Sequence, residues 1–286
     1  MIQLFNGTIT EAIGPRGACL GDGAGDTVPD CVTSVSWVTQ VPAQAGGISV
    51  RSGATGAEIY RVLGTQAGEF MGSSLAALPD LNGDGRAEIL VGAFGASING
   101  AESGAVRILS GANGTLIREF AGARAGSELG RDARYGGDVN GDGAHDIVVS
   151  SREVGLGTNG PEVVYVYSTS DGSELHRFTA TGTDSNSGWT LGAGGDVDGD
   201  GNDDVAIGAF GDAQAGLGSG SMTLFSGATG VPIFRVDGDQ GAVVGYGLAM
   251  GGDINGDGYD DLIVGHGYAT DSVTQQRTGA VYVYGH

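Results

Sequence analysis

Carboxylates stand at the first, third, fifth and ninth positions of Asp196-Val197-Asp198-Gly199-Asp200-Gly201-Asn202-Asp203-Asp204. Side chains of that type at that spacing can close a compact cage of hard oxygens, with the backbone carbonyl of the seventh residue, Asn202, as a further donor. Calcium takes roughly six to eight oxygens in a flexible shell, so the chemistry on offer is calcium binding. Glycine at the sixth position, Gly201, suits the sharp turn around an ion, where a Cβ would oppose positive φ. A plain polar turn needs no acids at four fixed places. The apolar run Val205-Ala206-Ile207 follows at once, so a strand must hold the end of the loop.

An EF-hand opens in the same way but closes on a bidentate Glu at the twelfth position and lies between helices. Here the twelfth position is Ile207, in a β-type run, and the flanks are Gly-rich, so the loop joins two strands. It recurs. Asp80, Asn82, Asp84 and Glu88, with the carbonyl of Arg86, precede Ile89-Leu90-Val91. Asp138, Asn140, Asp142 and Asp146, with the carbonyl of Ala144, precede Ile147-Val148-Val149. Asp253, Asn255, Asp257 and Asp261, with the carbonyl of Tyr259, precede Leu262-Ile263-Val264. The first positions, 80, 138, 196 and 253, are 58, 58 and 57 residues apart. One more step back reaches Asp22, where acids remain at positions one, five and nine (Asp22, Asp26, Asp30). Ala24 and Thr27 replace the third and sixth residues, so this fifth, degraded copy is expected to hold calcium weakly or not at all.

A period near 58 with several strands in each copy is the signature of a propeller. A second strand follows each loop, as in Gly46-Gly-Ile-Ser-Val and Gly104-Ala-Val-Arg-Ile. Then come a hairpin turn such as Gly-Ala-Thr-Gly and a further strand such as Ala57-Glu-Ile-Tyr-Arg-Val. A short strand such as Gly72-Ser-Ser-Leu-Ala leads into the next loop. Four strands per copy make one blade. The expected architecture is all-β, a single domain over 1–286, with five blades at about 9–64, 65–122, 123–180, 181–238 and 239–286 plus 1–6.

The repeated Asp-x-Asn-Gly-Asp-Gly-x-x-Asp, the Val-Gly-Ala-Phe-Gly at 91–95 and the Gly-Ala-Val-Tyr-Val-Tyr at 279–284 resemble FG-GAP repeats. Those are the units of the integrin α-subunit propeller and of many bacterial surface proteins. The resemblance covers essentially the whole chain. It departs in blade count, since family propellers usually have seven, and in the degraded first loop.

No run of about 18 apolar residues is present, so no span of a membrane is expected. Met1 enters directly into a strand-like Ile2-Gln-Leu-Phe5, which leaves no room for a signal peptide in this stretch. The 58 glycines have no collagen period and fall at loops and hairpins. The net charge is −21, and four calcium ions would offset eight of those charges. The sign that remains disfavours nucleic acid as a partner. All basic residues are Arg and none is Lys, which with the Asp-rich composition hints at a bacterial source.

Counting back one repeat makes Met1–Phe5 a fourth strand without its own blade, while the chain stops after the third strand of the last repeat. The N-terminal strand is therefore expected to complete the last blade, a 3+1 clasp that removes exposed sheet edges. Cys19 and Cys31 bracket the degraded loop on the strands it joins. A disulfide there would replace calcium as the brace, and extracellular calcium sites imply an oxidising compartment. The alternative is two free, buried thiols. The four histidines fall at different repeat positions and form no catalytic grouping, and His145 is expected at the surface. Trp37 and Trp189 suit recognition or packing equally.

These readings converge on a calcium-stabilised extracellular or cell-surface module for binding or adhesion, monomeric and without catalysis. Its partner would be a protein or a glycan. The alternative is a lectin-like propeller or an accessory domain of a carbohydrate-active enzyme. Calcium loops and hairpin turns share one end of the blades, and the variable loops share the other. As in the integrins the repeats resemble, the ligand is expected on the face opposite the calcium loops. Phe94, Arg152, Phe210, Tyr268 and Arg277 are the candidates on that rim, because aromatics and Arg dominate hot spots.

Overall fold

The computed structural model describes residues 11–22, 27–38, 42–152, 162–179, 186–268 and 278–285, and every regular element among them is a β-strand. The strands form five antiparallel sheets. The first contains β1 (Glu11–Gly21), β2 (Asp30–Val38), β3 (Gly47–Arg51) and β4 (Glu58–Leu63), in that order. The second runs β5 (Leu75–Leu78), β6 (Glu88–Ala93), β7 (Ala105–Leu109) and β8 (Leu116–Ala121). The third runs β9 (Ala133–Gly137), β10 (Asp146–Arg152), β11 (Glu162–Ser168) and β12 (Glu174–Thr179). The fourth runs β13 (Ser187–Ala193), β14 (Val205–Ala209), β15 (Ser221–Phe225) and β16 (Pro232–Asp237). The fifth has three strands, β17 (Val244–Met250), β18 (Leu262–His266) and β19 (Ala280–Tyr284).

Burial explains the different texture of these strands. The second strand of a sheet is a continuous apolar run, such as Glu88-Ile-Leu-Val-Gly-Ala in β6, buried at every residue. It lies mid-sheet with packing on both faces, which removes any need for alternation. Fourth strands are half-open instead: β16 is exposed at Pro232, Ile233, Arg235 and Asp237. Such strands lie at an edge with one face wet.

The chain divides into two compact units, Met1–Ala133 and Arg134–His286. In the first unit Leu20, Val32, Ile48, Leu75, Ile89, Val91 and Leu109 form one buried cluster between the first two sheets. In the second unit Val139, Val148, Val164, Leu191 and Val205 fill one interval between sheets, and Met222, Leu224, Val244, Leu262 and Val264 the next. Side chains of the fourth strand also reach the hairpin turn of the following sheet. Tyr60 Oη donates to the carbonyl of Gly111 at 2.7 Å, and His176 Nε2 lies 2.6 Å from the carbonyl of Gly227.

The fifth sheet ends on an open edge among the described residues: in β19, Val281 is 69% and Val283 52% exposed. The corresponding third strands of the other sheets are mostly buried. The expected clasp strand Met1–Phe5 lies outside the described residues.

Candidate metal centres

Each intact loop joins the first strand of a sheet to the second: 80–88 lies between β5 and β6, 138–146 between β9 and β10, 196–204 between β13 and β14, and 253–261 between β17 and β18. The backbone is folded around the side chain at position one. Asp196 Oδ1 accepts from the N–H of Gly199 (2.7 Å) and of Asp200 (3.1 Å), and Oδ2 from that of Gly201 (2.9 Å). Asp80 and Asp253 make the same three contacts, and Asp138 accepts from Asp142 and Gly143. The side chain at position three then accepts from the N–H of position five, and that of five from the N–H of seven, as in Asn255–Asp257–Tyr259 (2.8 and 3.0 Å). Both glycines, at positions four and six, hold positive φ, 76° at Gly199 and 92° at Gly201. The need at position four was visible in the repeated Asn-Gly-Asp-Gly but was not drawn from the sequence.

Position nine is of a different kind. Glu88, Asp146 and Asp204 are fully buried and Asp261 is 1% exposed. One oxygen of each accepts from the N–H of position two: Val139 to Asp146 at 2.8 Å, Val197 to Asp204 at 2.9 Å, Ile254 to Asp261 at 2.7 Å, and likewise Leu81 to Glu88. The second oxygen of Asp204 accepts from Gly227 N–H (3.0 Å), tying the loop to the next hairpin turn of its sheet. The second oxygen of Asp146 is buried with no hydrogen-bond partner. A buried, unpartnered carboxylate oxygen is costly unless a cation completes it.

Electrostatics agree. Burial pushes Asp204 up to about 7 and Asp146 up to about 6, with the acids at positions one, three and five adding repulsion, and it raises Glu88. Asp80 goes the other way, held low chiefly by the N–H of Gly85. Carboxylate oxygens of Asp80, Asp84 and Glu88 lie within 4.8 Å of one another, as do those of Asp196, Asp198 and Asp204. Acids gathered so closely resist joint ionisation, and a divalent cation removes that conflict. The donor set, hard oxygens only, fits calcium.

The degraded loop keeps more than its sequence suggests. Thr27 takes φ 70° despite its branched side chain, and its N–H donates to Asp22 Oδ2 at 2.7 Å, the contact Gly201 makes with Asp196. Asp30 is buried, with Oδ1 receiving Gly53 N–H at 3.1 Å and Oδ2 unpartnered. Residues 23–26, with Ala24 and Asp26, lie outside the described residues. Cys19 and Cys31 are direct partners across β1 and β2, with Sγ atoms 3.9 Å apart and no bond between them.

Position eight was read only as surface, and that reading is corrected. Asp203 Oδ2 accepts from Asp138 N–H (2.7 Å), and the N–H of Asp203 donates to Asp138 O (3.0 Å). Asp260 does the same to Asp196, at 3.0 Å in both contacts. Each pair stitches one acidic loop to position one of the preceding loop. The signal was present as the acid doublets Asp203-Asp204 and Asp260-Asp261, whose first member has no place in the ligand set. His145, at the same position, is half-buried and bonded through Nδ1 to Tyr135 Oη at 2.9 Å.

At the other end of the strands the rim candidates separate. Phe94 stacks on Phe70 (centroids 4.8 Å, planes 8° apart) with the Arg131 guanidinium 5.2 Å above it. Phe210 meets Trp189 and Tyr246 edge-to-face, at 5.3 and 5.5 Å. Trp189 and Tyr246 occupy equivalent places in β13 and β17, each where the register with the next strand slips. Bulges of that kind re-aim side chains. Tyr246 was not singled out from the sequence. Tyr268 is 57% exposed, Arg152 ends β10 opposite Glu162, and Arg277 lies outside the described residues.

Comparison with known proteins places the chain among repeats of this design. The FG-GAP repeat model matches residues 71–109 and 244–284. The chain is 33% identical over 181 residues to integrin alpha-4 of Xenopus laevis, covering 59% of this chain and 17% of that protein. It is 32% identical over 140 residues to integrin alpha-3 of Cricetulus griseus, covering 46% and 13%. The chain thus spans under a fifth of the length of these relatives, both of them from vertebrates, which lends no weight to a bacterial source. A quinohemoprotein alcohol dehydrogenase from Comamonas testosteroni superposes with a TM-score of 0.50 over 90% of this chain and 42% of its own, at 12% identity. At that identity the likeness concerns fold alone, and the fold is of the propeller type.

Proposed function

From a chain that carries FG-GAP repeats and is similar to integrin alpha chains, we propose a calcium-stabilised, extracellular binding or adhesion module without catalysis. The observation that carries this is the buried ninth carboxylate. It accepts the N–H of position two in each intact loop, is pushed up by burial at Asp146 and Asp204, and needs a cation at the centre of its cage. Four ions are assigned, at the loops beginning with Asp80, Asp138, Asp196 and Asp253, and the loop at Asp22 is left empty or weak. The acids clustered in the loops are committed to metal, which leaves recognition to the opposite end of the strands. Calcium analysis of replete protein tests this: about four ions per chain are expected, and fewer than three overturn it.

A single five-bladed ring closed by Met1–Phe5 beside β19 belongs to the same proposal, supported by the open valines of that edge. Deleting residues 1–5 is expected to give aggregates or strand-swapped oligomers. A soluble monomer of unchanged stability would rule the clasp out. The Cys19–Cys31 bridge is proposed too, since directly opposed residues of an antiparallel pair have Cα atoms about 4.5–5.5 Å apart, within the span a disulfide bridges.

A glycan-binding reading has one observation in its favour. Trp189 and Tyr246 are 47% and 56% exposed around Phe210, an aromatic surface suited to the apolar face of a sugar ring. A glycan array run beside a panel of cell-surface proteins separates the two.

A further inference from the structure

Between the first and second sheets, at the end of the strands away from the calcium loops, lies a cavity of about 330 Å³. Its floor and walls are apolar at Val35, Met71 and the stacked rings of Phe70 and Phe94. Ser34 and Ser36 of β2 add hydroxyls, and Arg16 of β1 borders the same space. That volume and lining are those of a small-ligand pocket, mostly apolar with a few convergent polar groups.

Arg16 is the informative residue. Acids outnumber bases in this chain by 34 to 13, and the arginines of the sheets are used accordingly. Arg61 pairs with Glu58, Arg107 with Glu69 and Glu119, Arg131 with Glu128, and Arg235 with Asp212 and Asp237. Among the described residues the Arg16 guanidinium has neither a carboxylate nor any other hydrogen-bond partner; only its backbone is engaged, by Ser34 Oγ. A guanidinium at the mouth of an apolar pocket, left unmatched by a surplus of acids, fits a planar two-oxygen anion supplied from outside. The Phe70–Phe94 stack offers the apolar body of that ligand a flat wall.

We propose that this pocket binds a carboxylate carried on an aromatic or apolar body, with Arg16 holding the carboxylate and Phe70 and Phe94 holding the ring. Such a group can be a free acid or the C-terminal residue of a peptide. The proposal deepens the binding reading above and rests on it for the face used.

The test is calorimetric titration of the full, calcium-loaded chain with 3-phenylpropionate and, separately, with a short peptide ending in a free Phe carboxylate. Binding of either probe is expected to weaken at least tenfold in Arg16→Gln and in Phe94→Ala, and to be unchanged in Arg177→Gln, which alters a surface guanidinium elsewhere. Which probe binds more tightly identifies the source of the acid. Should Arg16→Gln perturb the fold, 3-phenylpropanamide on the unaltered chain decides instead, since it must bind at least tenfold more weakly than the acid. No binding of either probe, equal binding of acid and amide, or full affinity in a folded Arg16→Gln would overturn the proposal. If array ligands bind the chain while neither probe does, only the pocket assignment fails. If the acid binds while no array partner does, the pocket stands and the adhesion reading falls.

Discussion

The loop at 196–204 and the described ends of the loop at 22–30 share two hydrogen-bonded anchors reached by different means. In both, the position-one acid receives the N–H of position six, and a buried acid at position nine receives the N–H of a hairpin glycine. The first uses two glycines and four acids at ligand positions. The second forces Thr27 to φ 70°, has Ala24 where a ligand should stand, and sets two cysteines face to face across its base. The contrast teaches that the hydrogen bonds to the acids at positions one and nine do not depend on a complete ligand set, since the degraded loop keeps them without an oxygen donor at position three.

The contrast is tested most severely by removing calcium. Each ion at a free concentration a hundred times its Kd adds about 2.7 kcal/mol to stability, so withdrawing four costs on the order of 10 kcal/mol. Chelation is therefore expected to lower the melting temperature by tens of degrees, read by calorimetry. Asp200→Ala should remove one ion from the count, whereas Asp22→Ala should remove none. Loss of an ion from Asp22→Ala would show that the two loops are the same device after all.

Acidity supplies the next largest effect. The folded-state values of Asp204 and Asp146 lie above an ordinary carboxylate, so the calcium-free fold binds protons more tightly than the unfolded chain. Their protonation supports the calcium-free fold at low pH, and that support is lost as pH rises from about 4 through 6 to 7, by a few kcal/mol. Saturating calcium should reverse the slope, because the ion binds the ionised acids. Asp204→Asn should flatten the calcium-free profile; a profile unchanged by that substitution would remove position nine from the account.

At the degraded loop, reduction of a Cys19–Cys31 bridge should cost about 3 kcal/mol, as expected for a closed loop of this size. Thiol titration of denatured, unreduced protein decides whether the bridge exists, and two free thiols would leave the loop with no brace but its hydrogen bonds.

The smallest effect concerns the stitches. Asp203→Ala strands the N–H of Asp138 and should cost about 1–2 kcal/mol, while Asp203→Asn keeps an acceptor and should cost less. Equal costs for the two would mean that the carboxylate's charge, and not the hydrogen bond, joins the loops.

Much of this could be read from spacing. Acids at one, three, five and nine announce both the cage of carboxylates and the strand that follows, because the ninth acid is also the first step into a buried apolar run such as Val205–Ala209. What escaped were contacts between copies. Asp203 and Asp260 act on the preceding loop; the acid doublets mark them as surplus to their own ligand set, but nothing local names the partner, which lies a full repeat away. Trp189 stays undecided between recognition and packing, and Tyr246 goes unmarked, because the ring that joins them, Phe210, is distant from both in sequence and meets them where the register slips. The pocket was hidden for the same reason, since Arg16 and Phe94 are 78 residues apart and meet only when two sheets face each other.

One backbone feature recurs without a sequence mark. Phe70, Glu128, Asn186 and Val243 sit one repeat apart just ahead of their sheets, and all four hold φ between 46° and 54°. Left-handed turns usually demand glycine, yet here an aromatic, an acid, an amide and a branched aliphatic residue adopt the same bend. The shape of this corner is therefore set by its surroundings: the N–H groups of Phe70 and Glu128 donate to the carbonyls of Gln44 and Glu102 in a preceding turn. Side-chain identity is thereby released from the duty of making the turn. Selection can exchange the residue displayed at each corner, one substitution at a time, without lengthening a loop or moving a strand, and a rim built this way can change its chemistry while its frame stands still.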